Sequence, residues 1–101
     1  MLKKLFIACA LSLFLTACSS PPTKEQVKES VKRIIPVNFE VLQVNKLEDI
    51  PGLFEVVLRA NNQTVVLYVD QKAKYVISGS LMALDTKTNL TMESQKKYQQ
   101  K

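Results

Sequence analysis

This sequence contains no histidine and no tryptophan, and it has only two cysteines and two glycines among its 101 residues. Without histidine there is no imidazole to act as a general base, a proton shuttle or the usual metal ligand. Two glycines, Gly52 and Gly79, are too few for a glycine-rich loop that cradles phosphate. The nine acidic residues are scattered along the chain. We therefore predict that the protein is not an enzyme and binds neither a metal nor another cofactor.

Both cysteines, Cys9 and Cys18, lie near the N-terminus, where the residue pattern is that of a targeting segment. Two lysines come early, an apolar run follows at residues 5–15, and small residues lead up to Ala17. This order is typical of a secretory signal peptide, and a cysteine directly after it is typical of a bacterial lipoprotein box. We predict that residues 1–17 are removed by cleavage between Ala17 and Cys18. The Cys18 thiol is then acylated with fatty acids such as palmitate.

Two other interpretations of this segment exist, and the first of them fails on length. A membrane-spanning helix needs roughly 20 apolar residues, more than residues 5–17 supply. The second is an ordinary secretory signal that is cut elsewhere, with a chance cysteine at position 18.

If Cys18 is lipidated, we expect the protein to be anchored in the bacterial cell envelope and to face the periplasm. Ser19 after the cysteine favours the outer membrane. Because Cys9 leaves with the signal, the mature chain would have no free thiol for a zinc site or a thiolate nucleophile.

The remaining chain is long enough for one small domain, which is marginally stable by itself. No disulfide is left to support it, so self-association or a partner is a plausible source of further stability. Loss of the signal, which carries two lysines and no acid, lowers the formal net charge from +5 to +3. This mild excess suits a protein that lies near anionic lipid, and it is not the footprint of a nucleic-acid-binding protein. We expect a membrane anchor and a protein partner, and no nucleic acid.

The order of sequence patterns predicts an α+β domain at residues 23–91. Residues 18–22 are a short tether, and Thr23 with Gln26 forms a capping box that begins a helix. Pro36 ends that helix, which we expect at residues 23–35. Strands are predicted at 39–44, 53–59, 63–70 and 75–84, with turns at 49–52, 61–62 and 71–74. The expected architecture is one N-terminal helix packed on a four-stranded, mainly antiparallel sheet, followed by a polar tail at 92–101. Thr91 could cap a short helix in that tail, but we expect the tail to pack against little.

The third predicted strand lacks the charged residues or proline that usually keep an exposed edge strand from pairing with another chain. Residues 61–69 carry no charge and no proline, so pairing with a second copy would remove the exposed edge. The residues that would form this dimer edge are Thr64, Val65, Val66, Leu67, Tyr68 and Val69. The apolar side chains of Phe54, Val66, Tyr68 and Met82 either line such an interface or belong to the core, and the core is the better prediction for each one.

Four sequence blocks resemble one known family in order and spacing. They are 51–56 (PGLFEV), 67–70 (LYVD), 75–79 (YVISG) and 89–91 (NLT). Together they resemble the N-terminal domain of the bacterial periplasmic thiol:disulfide isomerases of the DsbC/DsbG type. The residues that carry this resemblance are Gly52, Glu55, Tyr68, Asp70, Gly79, Leu90 and Thr91.

The resemblance implies a cystatin-like dimerisation domain. In those isomerases two such domains pair through edge strands into a V, and a helix links each to a thioredoxin-like domain with a Cys-x-x-Cys site. The sequence ends at Lys101, where that helix would begin, so we expect neither the thioredoxin-like domain nor its catalytic cysteines. The predicted lipid anchor also differs from the isomerases, which are soluble.

Three functions are compatible with these patterns. The first is a membrane-anchored homodimer that holds partly folded or partner polypeptides in an apolar groove, without catalysis. The second is an adaptor or regulatory subunit that pairs with a separate thioredoxin-like disulfide isomerase. The third is a structural lipoprotein of an envelope assembly.

Overall fold

The computed structural model describes residues 20–99. The predicted signal peptide, its cleavage site between Ala17 and Cys18, and the predicted acylation site therefore lie outside the described residues. Within 20–99 the elements follow the order α1 (Lys24–Val31), β1 (Phe39–Lys46), β2 (Leu53–Ala60), β3 (Gln63–Asp70), β4 (Val76–Ile77), β5 (Met82–Ala83), β6 (Thr88–Asn89) and α2 (Leu90–Tyr98). Neither helix in this part of the chain is long and apolar enough to cross a membrane.

The predicted capping box begins α1. The Thr23 hydroxyl accepts from the Gln26 backbone N–H at 3.1 Å, and the Gln26 side chain accepts from the Thr23 backbone N–H at 3.1 Å. The helix ends at Val31, earlier than predicted, and a tighter turn follows in which Ile34 N–H bonds to the Val31 carbonyl at 3.0 Å. Pro36 disfavours helical backbone at Ile35, so the chain cannot return to a helix after this turn.

Four strands form one antiparallel sheet in the order β1-β2-β3-β4. The β2–β3 hairpin turns at Asn61 and Asn62, whose φ angles are 52° and 62°. Positive φ at both central residues is the geometry of a type I′ turn, whose twist matches that of the strands it joins. The register pairs Ala60 with Gln63 beside the turn and Leu53 with Asp70 at the far end. The hairpin predicted at Asn61-Asn62 is confirmed.

A β-bulge in β1 changes which side chains face the core. The register with β2 shifts between Val41 and Gln43, so Leu42 is an extra residue. The inserted residue reverses the alternation of side chains along the strand. Phe39, Val41 and Val44 consequently pack on the same face, whereas Gln43 is exposed. A strand without the bulge would place Gln43 on the face of Phe39 and Val41.

Both faces of the sheet are covered by apolar side chains. On the α1 face, the buried cluster comprises Val27, Val31, Val41, Phe54, Val56, Leu58, Leu67 and Val69. On the α2 face, buried Val57, Val66 and Tyr68 pack with the half-buried Leu42, Leu47, Leu53, Leu81 and Tyr98. This arrangement explains why β2 and β3 are nearly continuous apolar runs, since neither face of these strands is left to solvent.

The chain after β3 differs from the prediction in two respects. The strand predicted at 75–84 is reduced to β4, and beyond Gly79 a separate two-stranded hairpin of β5 and β6 forms instead. The predicted polar tail begins inside a second helix, α2, whose N-cap is Asn89, the acceptor of the Met92 N–H at 2.9 Å. The α+β class is confirmed, but the domain has two helices, and the second packs on the face opposite α1.

Candidate functional site

The outer side of β3 is open over half of its length. β2 pairs with all of β3, whereas β4 pairs only with Tyr68 and Val69. Residues 64–67 therefore have no strand partner on this side among the residues that the structure describes. A two-residue type I′ turn is closed by a hydrogen-bonded pair, here Ala60 and Gln63, and the hydrogen-bonding direction alternates along the strand. It follows that Thr64 and Val66 direct their backbone N–H and C=O groups toward the open side.

The side chains of the predicted edge strand are mostly part of the core of the single chain. Val66, Leu67, Tyr68 and Val69 are buried, and Thr64 and Val65 are half-buried. Phe54 is likewise buried, which favours the core interpretation for this group, whereas Met82 is 47% exposed. Within residues 64–67, Thr64 and Val65 keep part of their surface exposed, so a partner strand would first reach the edge at these two residues.

Polar contacts fasten α2 to the sheet. Glu55 on β2 is only 7% exposed, and its carboxylate accepts from the Asn45 side-chain amide at 2.9 Å and from the Ser94 hydroxyl at 2.5 Å. At the C-terminal end of α2, the Tyr98 carbonyl accepts from the Arg59 guanidinium at 3.0 Å and from the Thr64 hydroxyl at 3.4 Å. These bonds satisfy a buried carboxylate and an unpaired helix-end carbonyl, two groups that are costly to leave without partners.

A second polar contact joins the start of α2 to β3. The buried Tyr68 hydroxyl lies 2.5 Å from the hydroxyl of buried Thr91. The Thr91 hydroxyl also accepts from the Leu81 N–H at 2.9 Å, and the Leu90 N–H donates to the Leu81 carbonyl at 2.8 Å. Burial raises the pKa of the Tyr68 phenol above its ordinary value, although the bond with Thr91 acts in the opposite direction.

Two further motif residues shape turns. Gly52 has φ of 88° in the turn between β1 and β2, where a side chain would strain the backbone. The Asp70 carboxylate accepts from the backbone N–H groups of Tyr75 and Lys74, each at 2.8 Å. The bond from Tyr75 contributes most to a lowered pKa of this carboxyl. Gly79 lies in the exposed, irregular segment between β4 and β5.

The seven motif residues thus fall into two groups. Glu55, Tyr68, Leu90 and Thr91 are brought together at the junction of α2 with the sheet, whereas Gly52, Asp70 and Gly79 belong to connecting segments. Asn45, Ser94 and Tyr98 complete the junction, and sequence reasoning did not single them out. Within residues 20–99 no three acidic or cysteine side chains come close enough to hold a metal ion.

The sequence model of the family described as "Disulfide bond isomerase protein N-terminal domain" matches residues 18–92, which is most of the chain. The chain belongs to this family. No curated protein and no solved structure matches it. The match includes both motif groups, so the resemblance inferred from four short blocks is confirmed. In the isomerases this N-terminal domain is the dimerisation domain. The region of the chain that matches the family includes all of β3.

Proposed function

We propose that this protein is a lipid-anchored, non-catalytic homodimer that holds polypeptides on the periplasmic side of the bacterial outer membrane. The observation that carries the proposal is the open, uncharged edge of β3 in a member of a family of dimerisation domains. The lipid anchor rests on the sequence pattern that ends at Cys18.

The two edges of the sheet favour β3 as the dimer contact. β1, the other outer strand, carries the charged residues Glu40 and Lys46 and a bulge at Leu42, which are features that discourage strand pairing. Residues 64–67 of β3 have none of these features. Two copies related by a twofold axis would pair the backbone groups of Thr64 and Val66 with the same groups of the partner.

Exposed apolar side chains on β4 and in the β5–β6 hairpin support a polypeptide-holding role. Ile77 on β4 and Met82 on β5 are about half exposed, and Leu84 in the β5–β6 turn is 87% exposed. Exposed apolar side chains mark a place where another chain binds when they form one contiguous patch. Two copies joined at β3 would present two such surfaces to one client, which raises its local effective concentration.

A non-catalytic role is consistent with the residues available. Disulfide exchange needs a thiolate, and acylation would consume the thiol of Cys18 while cleavage would remove Cys9. The polar groups at the α2 junction are paired with each other, so their evident role is to hold the helix.

Sedimentation of residues 19–101 across a concentration series tests the dimer. We expect a dimer, and we expect Thr64→Pro to make it monomeric, because proline removes an outward-facing N–H without removing a bond to β2. Thr64→Val is the matched control, since it removes the same hydroxyl and keeps the N–H, and it should remain dimeric. Circular dichroism verifies that both variants are folded.

A parent chain that is monomeric at every concentration would refute the homodimer. The adaptor hypothesis would then be favoured if the chain captures a thioredoxin-like protein through the same edge, and the structural-lipoprotein hypothesis if it captures envelope components. Failure to suppress aggregation of a reduced client protein would refute the holding role. The mass of the mature N-terminal peptide tests acylation of Cys18 separately.

A further inference from the structure

An open groove lies between the C-terminal end of α1 and the turn that joins β3 to β4. It encloses about 390 Å³, and the buried Val31 and Val69 line it together with Ile34, Tyr75 and Val76. Ile34 is 56% exposed and Tyr75 is 75% exposed. The groove is therefore an apolar surface to which solvent has access.

Three cations surround this apolar surface. Arg33 follows α1, and Lys72 and Lys74 lie in the turn after β3, and all three line the groove. None of them forms a salt bridge within residues 20–99, and no acidic residue in that range lines the groove. The two acids closest in sequence to the lining residues are already engaged: the Asp70 carboxylate accepts from the backbone of the turn, and Glu29 pairs with Lys32. The groove is thus complementary to an anionic partner that also has an apolar part.

The groove lies where the described chain approaches the predicted anchor. The Gln71 side chain donates to the Ser20 carbonyl at 3.1 Å, so Ser20 lies beside the turn that carries Lys72 and Lys74. Cys18 is two residues earlier, and two extended residues span at most about 7 Å. An acyl chain on Cys18 would therefore hold this side of the domain close to the bilayer surface.

We propose that this groove docks on the anionic headgroups of the membrane leaflet and sets the orientation of the domain; the proximity argument rests on the lipid anchor proposed above. Lysine and arginine side chains near a bilayer are attracted to anionic lipid, and tyrosine with apolar neighbours partitions into the interfacial region. Arg33, Lys72 and Lys74 would contact headgroups while Ile34 and Tyr75 enter the interface.

A single tryptophan reporter tests this contact, because the natural sequence has no tryptophan. The full chain carrying Tyr75→Trp is processed in a bacterial host, purified and reconstituted into vesicles of brominated phosphatidylglycerol and phosphatidylcholine. Leu84→Trp is the matched reporter, since Leu84 is also exposed and lies outside the groove. We expect about a twofold or greater loss of emission from the Tyr75→Trp reporter, and little loss from Leu84→Trp.

Charge reversal tests the contribution of the cations. One variant combines the Tyr75→Trp reporter with Arg33→Glu, Lys72→Glu and Lys74→Glu. We expect this variant to lose the quenching in vesicles that contain phosphatidylglycerol. Each cation near the surface changes partitioning by about fivefold. The control combines Lys46→Glu, Lys87→Glu and Lys96→Glu, exposed cations outside the groove that give the same change in net charge, and it should preserve the quenching.

Each outcome bears on one proposal. Absence of acyl mass on Cys18 in the purified chain overturns the lipoprotein proposal. An acylated chain in which both reporters are quenched equally overturns the docking groove and leaves the anchor intact. Quenching that is equal in pure phosphatidylcholine overturns the role of anionic headgroups. A second copy of the chain is the remaining possible occupant of the groove. In that case quenching of the Tyr75→Trp reporter would fall, and its emission would shift to the blue, as protein density on the vesicle rises. That result likewise overturns membrane docking.

Discussion

Different interactions hold the two helices against the two faces of the sheet. The α1 face is a cluster of aliphatic side chains and Phe54, and the two buried α1 residues in it are valines. The α2 face has a smaller buried cluster, and hydrogen bonds through Glu55, Thr91 and Tyr98 hold the helix there. Apolar burial is non-directional and scales with area, whereas buried hydrogen bonds depend on single atoms. The two faces should therefore respond differently to substitution.

Removing volume from the α1 face should have the largest effect on stability. Leu58 is fully buried in that cluster, so Leu58→Ala removes apolar contacts and leaves a cavity. We expect the free energy of unfolding to fall by about 2–5 kcal/mol, measured by urea denaturation. Leu84→Ala, at an exposed position, should change it by no more than about 0.5 kcal/mol. Similar losses for both variants would contradict the assignment of the core.

Breaking the polar junction should have a smaller and more local effect. Glu55→Ala removes the acceptor of Asn45 and Ser94, and we expect a loss of about 1–3 kcal/mol. Glu55→Gln keeps one acceptor oxygen, so its free energy of unfolding should fall by less. Amide hydrogen exchange should accelerate in residues 90–98 and remain unchanged in α1. Equal acceleration in both helices would show that the two faces are not independent.

Removing the Tyr68 hydroxyl should have the smallest effect. Tyr68→Phe breaks the bond to Thr91, for which we expect a loss of about 0.5–1.5 kcal/mol at neutral pH. The folded pKa of Tyr68 is raised above the ordinary value of 10.0, so its contribution is fully present below that pH. It is lost as the pH rises from 10.0 through the folded pKa, because the unfolded phenol ionises first.

The stability difference between the parent and Tyr68→Phe should therefore shrink as the pH rises above 10. Tyr75→Phe is the control, because Tyr75 is mostly exposed, and its free energy of unfolding should stay within about 0.5 kcal/mol of the parent. An unchanged difference for Tyr68→Phe across that range would contradict the role assigned to burial of this phenol.

Local sequence was a good predictor wherever neighbouring residues supply the interaction. The capping box of Thr23, the turn at Asn61-Asn62 and the strands β2 and β3 were predicted from residues close together in the chain. The predicted dimer edge covered residues 64–69: the structure leaves 64–67 without a strand partner among the described residues, but it pairs Tyr68 and Val69 with β4. Four short blocks were sufficient to identify the family.

Other features depended on contacts between residues distant in the chain. The bulge at Leu42 is defined only by the register with β2, and α2 depends on polar bonds to strands β1, β2 and β3 that apolar periodicity does not reveal. The sequence by itself determined the first helix, the hairpin and the two apolar strands, because short-range sterics and capping bonds control them. Only the tertiary structure decided which face each side chain covers and where α2 packs, because these depend on strand register and on the burial of paired polar groups.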